Sequence, residues 1–271
     1  MQIIVGFILA IIVAVLAWRA GSLSASGAWA AALTGGLIFG MGGLFWAVLL
    51  LAFFITSSGL SRAFKNRKAG LAEKYSKGDR RDWGQVLANG GLGALLAVGF
   101  FIPPHDRWLW MAFAGAMAAV NADTWSTELG VISPVEPRLI TNGQKVERGT
   151  SGGITLAGIL ASVGGAALIG IIAMLNTAHY SYYQSLTILG ILILAGLAGS
   201  LVDSLLGATV QAIYWCPTCK KETERHPLHT CGSPTRQIRG WRWVNNDLVN
   251  FVCSLVGAIA AAELFLLLLP Y

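Results

Sequence analysis

Seven long apolar runs, separated by segments that collect nearly all of the charge, constrain this chain more than any other feature. They are Ile3–Trp18, Ala25–Ile55, Gly84–Ile102, Trp108–Trp125, Ile154–Leu175, Leu186–Ile213 and Val244–Leu269. Most are long enough to cross a bilayer core, which takes about 20 residues of helix. Lipid offers no partner to an open sheet edge, so the runs are expected to be helical. Only 12% of the residues are charged, against about a quarter in soluble domains. The expected fold is an all-α polytopic membrane protein with about seven spans, six to eight. The whole chain, residues 1–271, reads as one integral membrane domain, with 213–246 as a Cys/His-containing loop within it.

The count is open because Ala25–Ile55 is about 31 residues, long for one span and short for two. Gly35-Gly36 and Gly42-Gly43 fall in its middle, so it is either one kinked helix or a hairpin of two short ones. The first run has no basic flank before it and no cleavage signal, and reads as a retained span. The 33 glycines suit close helix packing in lipid.

Of 19 Lys and Arg residues, all but Arg19 and Arg107 lie in three segments, 62–82, 128–148 and 213–246. The net charge of +6 therefore reads as topology, with these basic loops cytosolic in a cell membrane, and not as a nucleic-acid surface. Within 62–82, Lys65, Arg67, Lys68, Lys74, Lys77, Arg80 and Arg81 stand against Glu73, Asp79 and Asp82. Ser58, within the Thr56-Ser-Ser-Gly turn at the membrane edge, and Arg62 and Lys65, just past it, are candidates for holding a phosphate. The uncharged segment 176–185 carries Tyr180, Tyr182 and Tyr183 and belongs to the opposite, outer interface.

Carboxylates inside apolar runs are costly and mark function. Asp123 and Glu128 close the run from Trp108, in Asn121-Ala-Asp-Thr-Trp-Ser-Thr-Glu128. Five residues on a helix is about 500°, so their directions diverge by roughly 140° and one face cannot present both. Asp203 lies inside another run, and Ser200, Asp203, Gly207 and Gln211 share one helix face at spacings of three and four. Asp247 enters the last run within Asn245-Asn-Asp-Leu-Val-Asn250. Asn89, Asn121, Ser204, Asn246 and Asn250 are supporting polar residues; Asn89 alone fits helix-to-helix hydrogen bonding equally well.

Gly149-Thr150-Ser151-Gly152-Gly153, flanked by Lys145 and Arg148, precedes an apolar run. Free amides and the helix dipole at such a terminus favour phosphate, although Gly/Ser/Thr clusters also serve as caps. Cys216-Pro-Thr-Cys219, with His229 and Cys231, matches a Cys₃His zinc set in composition. Reduced thiols without metal fit the short spacing equally well.

The segments 121–130, 148–155, 199–211 and 245–250, with Thr56–Gly59 and Gln85/Asn89, resemble the transmembrane protein 19 family, a domain of unknown function (92) that includes the plant phytyl-phosphate kinase. A more distant similarity to CTP-using membrane kinases and cytidylyltransferases makes CTP the favoured donor. The resemblance implies Mg²⁺-dependent phosphoryl transfer from a nucleoside triphosphate to an isoprenyl or phytyl-type lipid monophosphate. On that reading Asp123, Asp203 and Asp247 hold Mg²⁺, and Glu128 orients metal-bound water. Lys145, Arg148 and the 149–153 amides take nucleotide phosphates, and Ser58, Arg62 and Lys65 take the lipid phosphate. The competing class is a lipid-phosphate transporter or flippase, which would need polar groups along a path to the other side.

Overall fold

The computed structural model describes residues 1–67, 74–75, 80–176 and 180–269. Lys68, Glu73, Lys77 and Asp79 of the basic loop lie outside them. The described residues form eight α-helices: α1 (Gln2–Arg19), α2 (Ala25–Leu37), α3 (Leu44–Ala63), α4 (Trp83–Phe101), α5 (Arg107–Gly130), α6 (Leu156–Met174), α7 (Tyr182–Thr209) and α8 (Asn246–Leu268). Six of them, all but α2 and α5, are long and apolar enough to cross a membrane. The protein is a helical integral membrane protein, as the apolar runs require.

The ambiguous 25–55 run is a hairpin. A π-helical turn, Ile38–Gly42, extends α2, and Gly43 at φ +94° reverses the chain into α3. α2 runs back along α1: a Cβ on Gly36 would meet the Phe7 ring at 2.4 Å, and one on Gly6 the Gly40 backbone at 2.5 Å. α3 then returns to the end where α1 stops, and the Arg62 guanidinium bonds the Ala20 carbonyl and Ser22 Oγ.

Capping side chains set where several helices begin. Asp82 and Gln85 form a capping box on α4, as Ser181 and Gln184 do on α7, while Thr155 caps α6 and Asn245 caps α8. The Ser181 box starts α7 four residues ahead of its apolar run.

The core is built around α5, whose residues from Trp110 to Ala122 are all buried. Seven of these are alanine or glycine, and small residues let backbones approach in lipid. A Cβ on Gly115 would lie 2.3 Å from the Gly257 carbonyl oxygen of α8, and one on Gly196 of α7 would lie 3.1 Å from that of Ala118. On the other side of α5, Gly165 of α6 packs on Asn121 and Ala122. Away from the basic loops, Trp46 stacks on Phe113 at 4.3 Å.

The three basic segments meet at one end of this bundle. Ser24 N–H donates to the Arg81 carbonyl at 3.0 Å, joining the α1–α2 turn to the start of α4. Two small sheets complete that end, where the sequence suggests only loops. β1 (Arg138–Leu139) pairs with β2 (Gly153–Ile154), and β3 (Ile213–Cys216) lies between β4 (Lys221–Thr223) and β5 (Arg236–Arg239). Arg19 also sits at this end, leaving Arg107 at the other.

Candidate functional site

A cleft of about 790 Å³, its open mouth included, lies between the ends of α5, α6 and α7 and the loops above them. Asp123 and Asp203 both line it, together with Ser204, Gln211, Asn246, Arg148 and the turn Gly149–Gly153. The close approach of the turn to α7 is a glycine property. Gly152 has φ +84°, and a Cβ there would lie 2.4–2.6 Å from atoms of Ala208. A Cβ on Gly207 opposite would lie 3.1 Å from the Gly152 nitrogen.

Asp123 takes a hydrogen bond from the buried Ser200, one helical turn ahead of Asp203 on α7. Asp203 Oδ2 is buried and accepts no hydrogen bond. Among the described residues no cationic side chain pairs with Asp123 or Asp203. Two carboxylates facing one cleft, one with an unclaimed buried oxygen, suit a hard cation such as Mg²⁺, which takes carboxylate oxygens together with water and phosphate. Buried polar atoms without partners are rare enough to call for a role.

The turn itself stands one step away from where the helix-terminus argument puts it. Gly153 and Ile154 are taken into β2 by pairing with Leu139 and Arg138, and Thr155 Oγ1 then accepts the Gly158 N–H at 3.0 Å to cap α6. The α6 dipole therefore points at Thr155 and not at the turn. What remains for an anion is the turn's backbone, left-handed at Gly149 (φ +76°) and Gly152 (φ +84°), the type of geometry that forms amide nests.

Of the two cations expected beside the turn, Arg148 lines the cleft, with its guanidinium donating to the Pro134 carbonyl at 3.0 Å. Lys145 is exposed and paired to Glu136 at 3.2 Å, outside the cleft. Glu128 is turned the other way, accepting from Ser61 Oγ at 2.7 Å, as the 140° divergence from Asp123 requires. Asp247 lines a separate apolar groove with Trp83, Leu87 and Phe251, while its neighbour Asn246 reaches the cleft. Asn250 is half-buried outside the cleft lining. Asn121 is structural glue: its Nδ2 donates to the Gly165 carbonyl at 2.8 Å and its Oδ1 accepts from Thr56 at 3.1 Å.

Ser58, Arg62 and Lys65 do not gather into one site. Arg62 and Lys65 are exposed, with Arg62 bound to the α1–α2 turn. Ser58 instead accepts from Arg81 Nη1 at 3.4 Å. Arg81 stacks over Phe53 and Phe54, each at 5.6 Å. Burial brings its pKa down to about 10, against the opposing pull of Glu128, so it stays charged at neutral pH. Arg81, Gln85 and Asn89 form the polar mouth of an apolar groove of about 650 Å³ between α1, α2, α3 and α4.

Three further residues of the cleft region carried no sequence signal. Glu224, just past β4, accepts from Gln211 Nε2 at 2.9 Å and Ser151 Oγ at 3.3 Å. Tyr75 lines the cleft; burial, then the charges of Glu224 and Glu128, push its phenol above its ordinary pKa, keeping it a donor. Buried Lys74 donates to Glu147 at 3.0 Å and to the Arg148 carbonyl at 2.9 Å, and its own carbonyl accepts Glu224 N–H at 2.8 Å. One lysine thus ties three loops over the cleft.

Residues 8–258 match the family model for the integral membrane protein DUF92. Protein PGR of Arabidopsis thaliana is 32% identical, with 97% of this chain and 98% of that protein covered. An uncharacterized membrane protein of Methanocaldococcus jannaschii is 29% identical over 97% of this chain and 94% of its own. One of Synechocystis is 28% identical over 82% and 77%. No solved structure matches. On a family match that covers nearly its whole length, and a plant relative aligned end to end, this chain belongs to the DUF92 family of integral membrane proteins.

Proposed function

We propose that the protein is a membrane-embedded kinase transferring a phosphoryl group from a nucleoside triphosphate, with CTP favoured, to an isoprenyl or phytyl-type lipid monophosphate. The observation that carries this reading is the pairing of Asp123 and Asp203 with the Gly149–Gly153 turn in one polar cleft. Phosphoryl transfer asks a protein mainly for positioning and charge neutralisation. The positive-inside rule assigns the basic end of the bundle, and so the cleft, to the cytosol of a cell membrane, where nucleotides are.

Asp123 and Asp203 would hold Mg²⁺, with Ser200 orienting the Asp123 carboxylate. When bound, the ion neutralises charge on the transferred group. The turn amides and Arg148 hold the donor's phosphates. Arg81, with Gln85 and Asn89, holds the acceptor's phosphate at the mouth of the α1–α4 groove, and the apolar walls take its tail. An oxygen of the lipid phosphate attacks the terminal phosphorus, the bond to the bridging oxygen breaks, and a nucleoside diphosphate leaves. That acceptor oxygen is already ionised near neutral pH, so no strong general base is required.

The test is purified protein with Mg²⁺, isoprenyl monophosphates of graded length and each triphosphate labelled at its terminal phosphate. A labelled lipid diphosphate supports the reading. Its absence, with lipid phosphate instead crossing the bilayer of proteoliposomes that hold the protein, would replace it with the transporter reading.

A further inference from the structure

We infer that Cys216, Cys219, Cys231 and His229 bind one structural zinc ion, which clasps the β3–β4–β5 module and fixes Glu224 at the rim of the cleft. The ligand atoms available on these four side chains all lie within 4.8 Å of one another. Cys216 Sγ and Cys231 Sγ are 3.6 Å apart. Zinc–sulfur bonds of roughly 2.3 Å in a tetrahedron place sulfurs about 3.8 Å apart, whereas a disulfide needs about 2.05 Å. His229 Nδ1 lies 3.3 Å from Cys231 Sγ, close to the nitrogen–sulfur edge of the same tetrahedron. Three sulfurs and one imidazole nitrogen form a closed set, the signature of a structural rather than a catalytic zinc.

The backbone is shaped for the same ion. Cys219 N–H points at Cys216 Sγ at 3.4 Å, as an amide does toward a charged thiolate. Each of the last two cysteines is followed by a left-handed residue, Lys220 at φ +50° and Gly232 at φ +82°. Glycine adopts this freely, but a lysine there costs about 1 kcal/mol or more. Strain of this kind persists where the surroundings over-determine it, and folding the chain back so that both sulfurs aim inward would do so. His229 is 4% exposed and its Nε2 has no hydrogen-bond partner, while its Nδ1 meets Thr230 Oγ1 at 3.5 Å beside Cys231 Sγ.

The position of the site gives it a consequence. Cys216 ends β3, whose strand starts two residues after Gln211. Its register partner Lys221 begins β4, which ends one residue before Glu224. Gln211 and Glu224 then close the hydrogen bond at the cleft rim. A zinc ion at the far end of the β3–β4 hairpin holds both strands in register and so holds Glu224 in place. The inference does not rest on the reaction assigned to the cleft.

Metal analysis of full-length protein purified in detergent without chelator should find about one zinc per chain. Cobalt substitution should give the intense visible bands of a tetrahedral thiolate site. Cys219→Ser and Cys231→Ser should lose the metal and His229→Cys should keep it. Titrating the wild type with an organomercurial should release one zinc per three thiols, which covers the case where serine variants do not fold. Stripping the zinc should speed amide exchange across 213–224. Zinc-free protein with no cobalt spectrum, a non-reducing mass showing a disulfide among these cysteines, or zinc retained in both serine variants would overturn the site. Exchange unchanged on stripping would overturn its structural role.

Discussion

Gln211 Nε2 donates to Glu224 Oε1 at 2.9 Å, and together with Arg239 Nη2 donating to the Gly207 carbonyl at 3.1 Å this bond ties the end of α7 to the strand module over the cleft. Gln211 is 2% exposed, so truncating it removes a buried donor from a carboxylate. Gln211→Ala should lower stability by about 2 kcal/mol, in the range for hydrogen bonds to charged groups, read as a fall in the detergent melting temperature. A melting curve unchanged from the wild type would show that the module is held without this bond.

Asp123→Asn and Asp203→Asn should each reduce lipid-kinase turnover by about a thousandfold, equivalent to roughly 4 kcal/mol of barrier. Asp203→Asn should at the same time keep or raise the melting temperature, because it neutralises a carboxylate whose Oδ2 is buried without a partner. Loss of activity together with loss of fold would assign the residue to packing. Full turnover in both variants would remove them from the reaction.

Gly152→Ala and Gly143→Ala form a matched pair. Both glycines are left-handed, at φ +84° and +71°, but a Cβ on Gly143 meets nothing within 4 Å while one on Gly152 lies within 2.6 Å of Ala208 backbone. Gly143→Ala should cost only the conformational term of about 1–2 kcal/mol. Gly152→Ala should cost more and push the turn off α7, visible as a larger drop in melting temperature and weaker nucleotide binding. Equal losses in the two would mean that the turn can move away freely.

Arg81→Gln should raise KM for the lipid monophosphate at least tenfold and leave KM for the nucleotide unchanged. The guanidinium is a half-buried cation at the mouth of the apolar groove, and charge-assisted bonds to phosphate are the strong ones. Arg62→Gln, at an exposed residue engaged by the α1–α2 turn, should leave both constants alone. Reversed effects would return the lipid phosphate to Arg62.

The Lys74–Glu147 pair gives a pH signature. Its hydrogen bond and charge hold the Glu147 carboxyl below its ordinary 4.5, so its contribution is present above that value and fades as pH falls through the depressed one. Glu147 is 82% exposed, which limits the effect to about 1 kcal/mol or less. Glu147→Gln should flatten stability between about pH 5 and pH 3, as linkage requires. An unaltered profile would mean that the pair is not formed in solution.

The membrane class, the clustering of basic loops at one end and the divergence of Asp123 from Glu128 were all legible in the sequence. Each rests on a local rule: apolar length, charge between spans, or the 3.6-residue helical period. The polar face Ser200, Asp203, Gly207 and Gln211 was legible for the same reason: the last three line the cleft, with Ser200 buried one turn behind them. Tertiary structure decided what no local period encodes. Asp247, one residue from cleft-lining Asn246, faces another groove because consecutive residues on a helix point about 100° apart. The turn at 149–153 lost its helix dipole because β1, some 15 residues upstream, paired with Gly153 and Ile154. Lys74, Tyr75 and Glu224 entered through loops whose path is set by long-range closure, Lys74 meeting Arg148 across 74 residues. Such contacts depend on how helices pack, and small-residue packing around α5 is written in the van der Waals fit of glycine to backbone, not in any spacing along the chain.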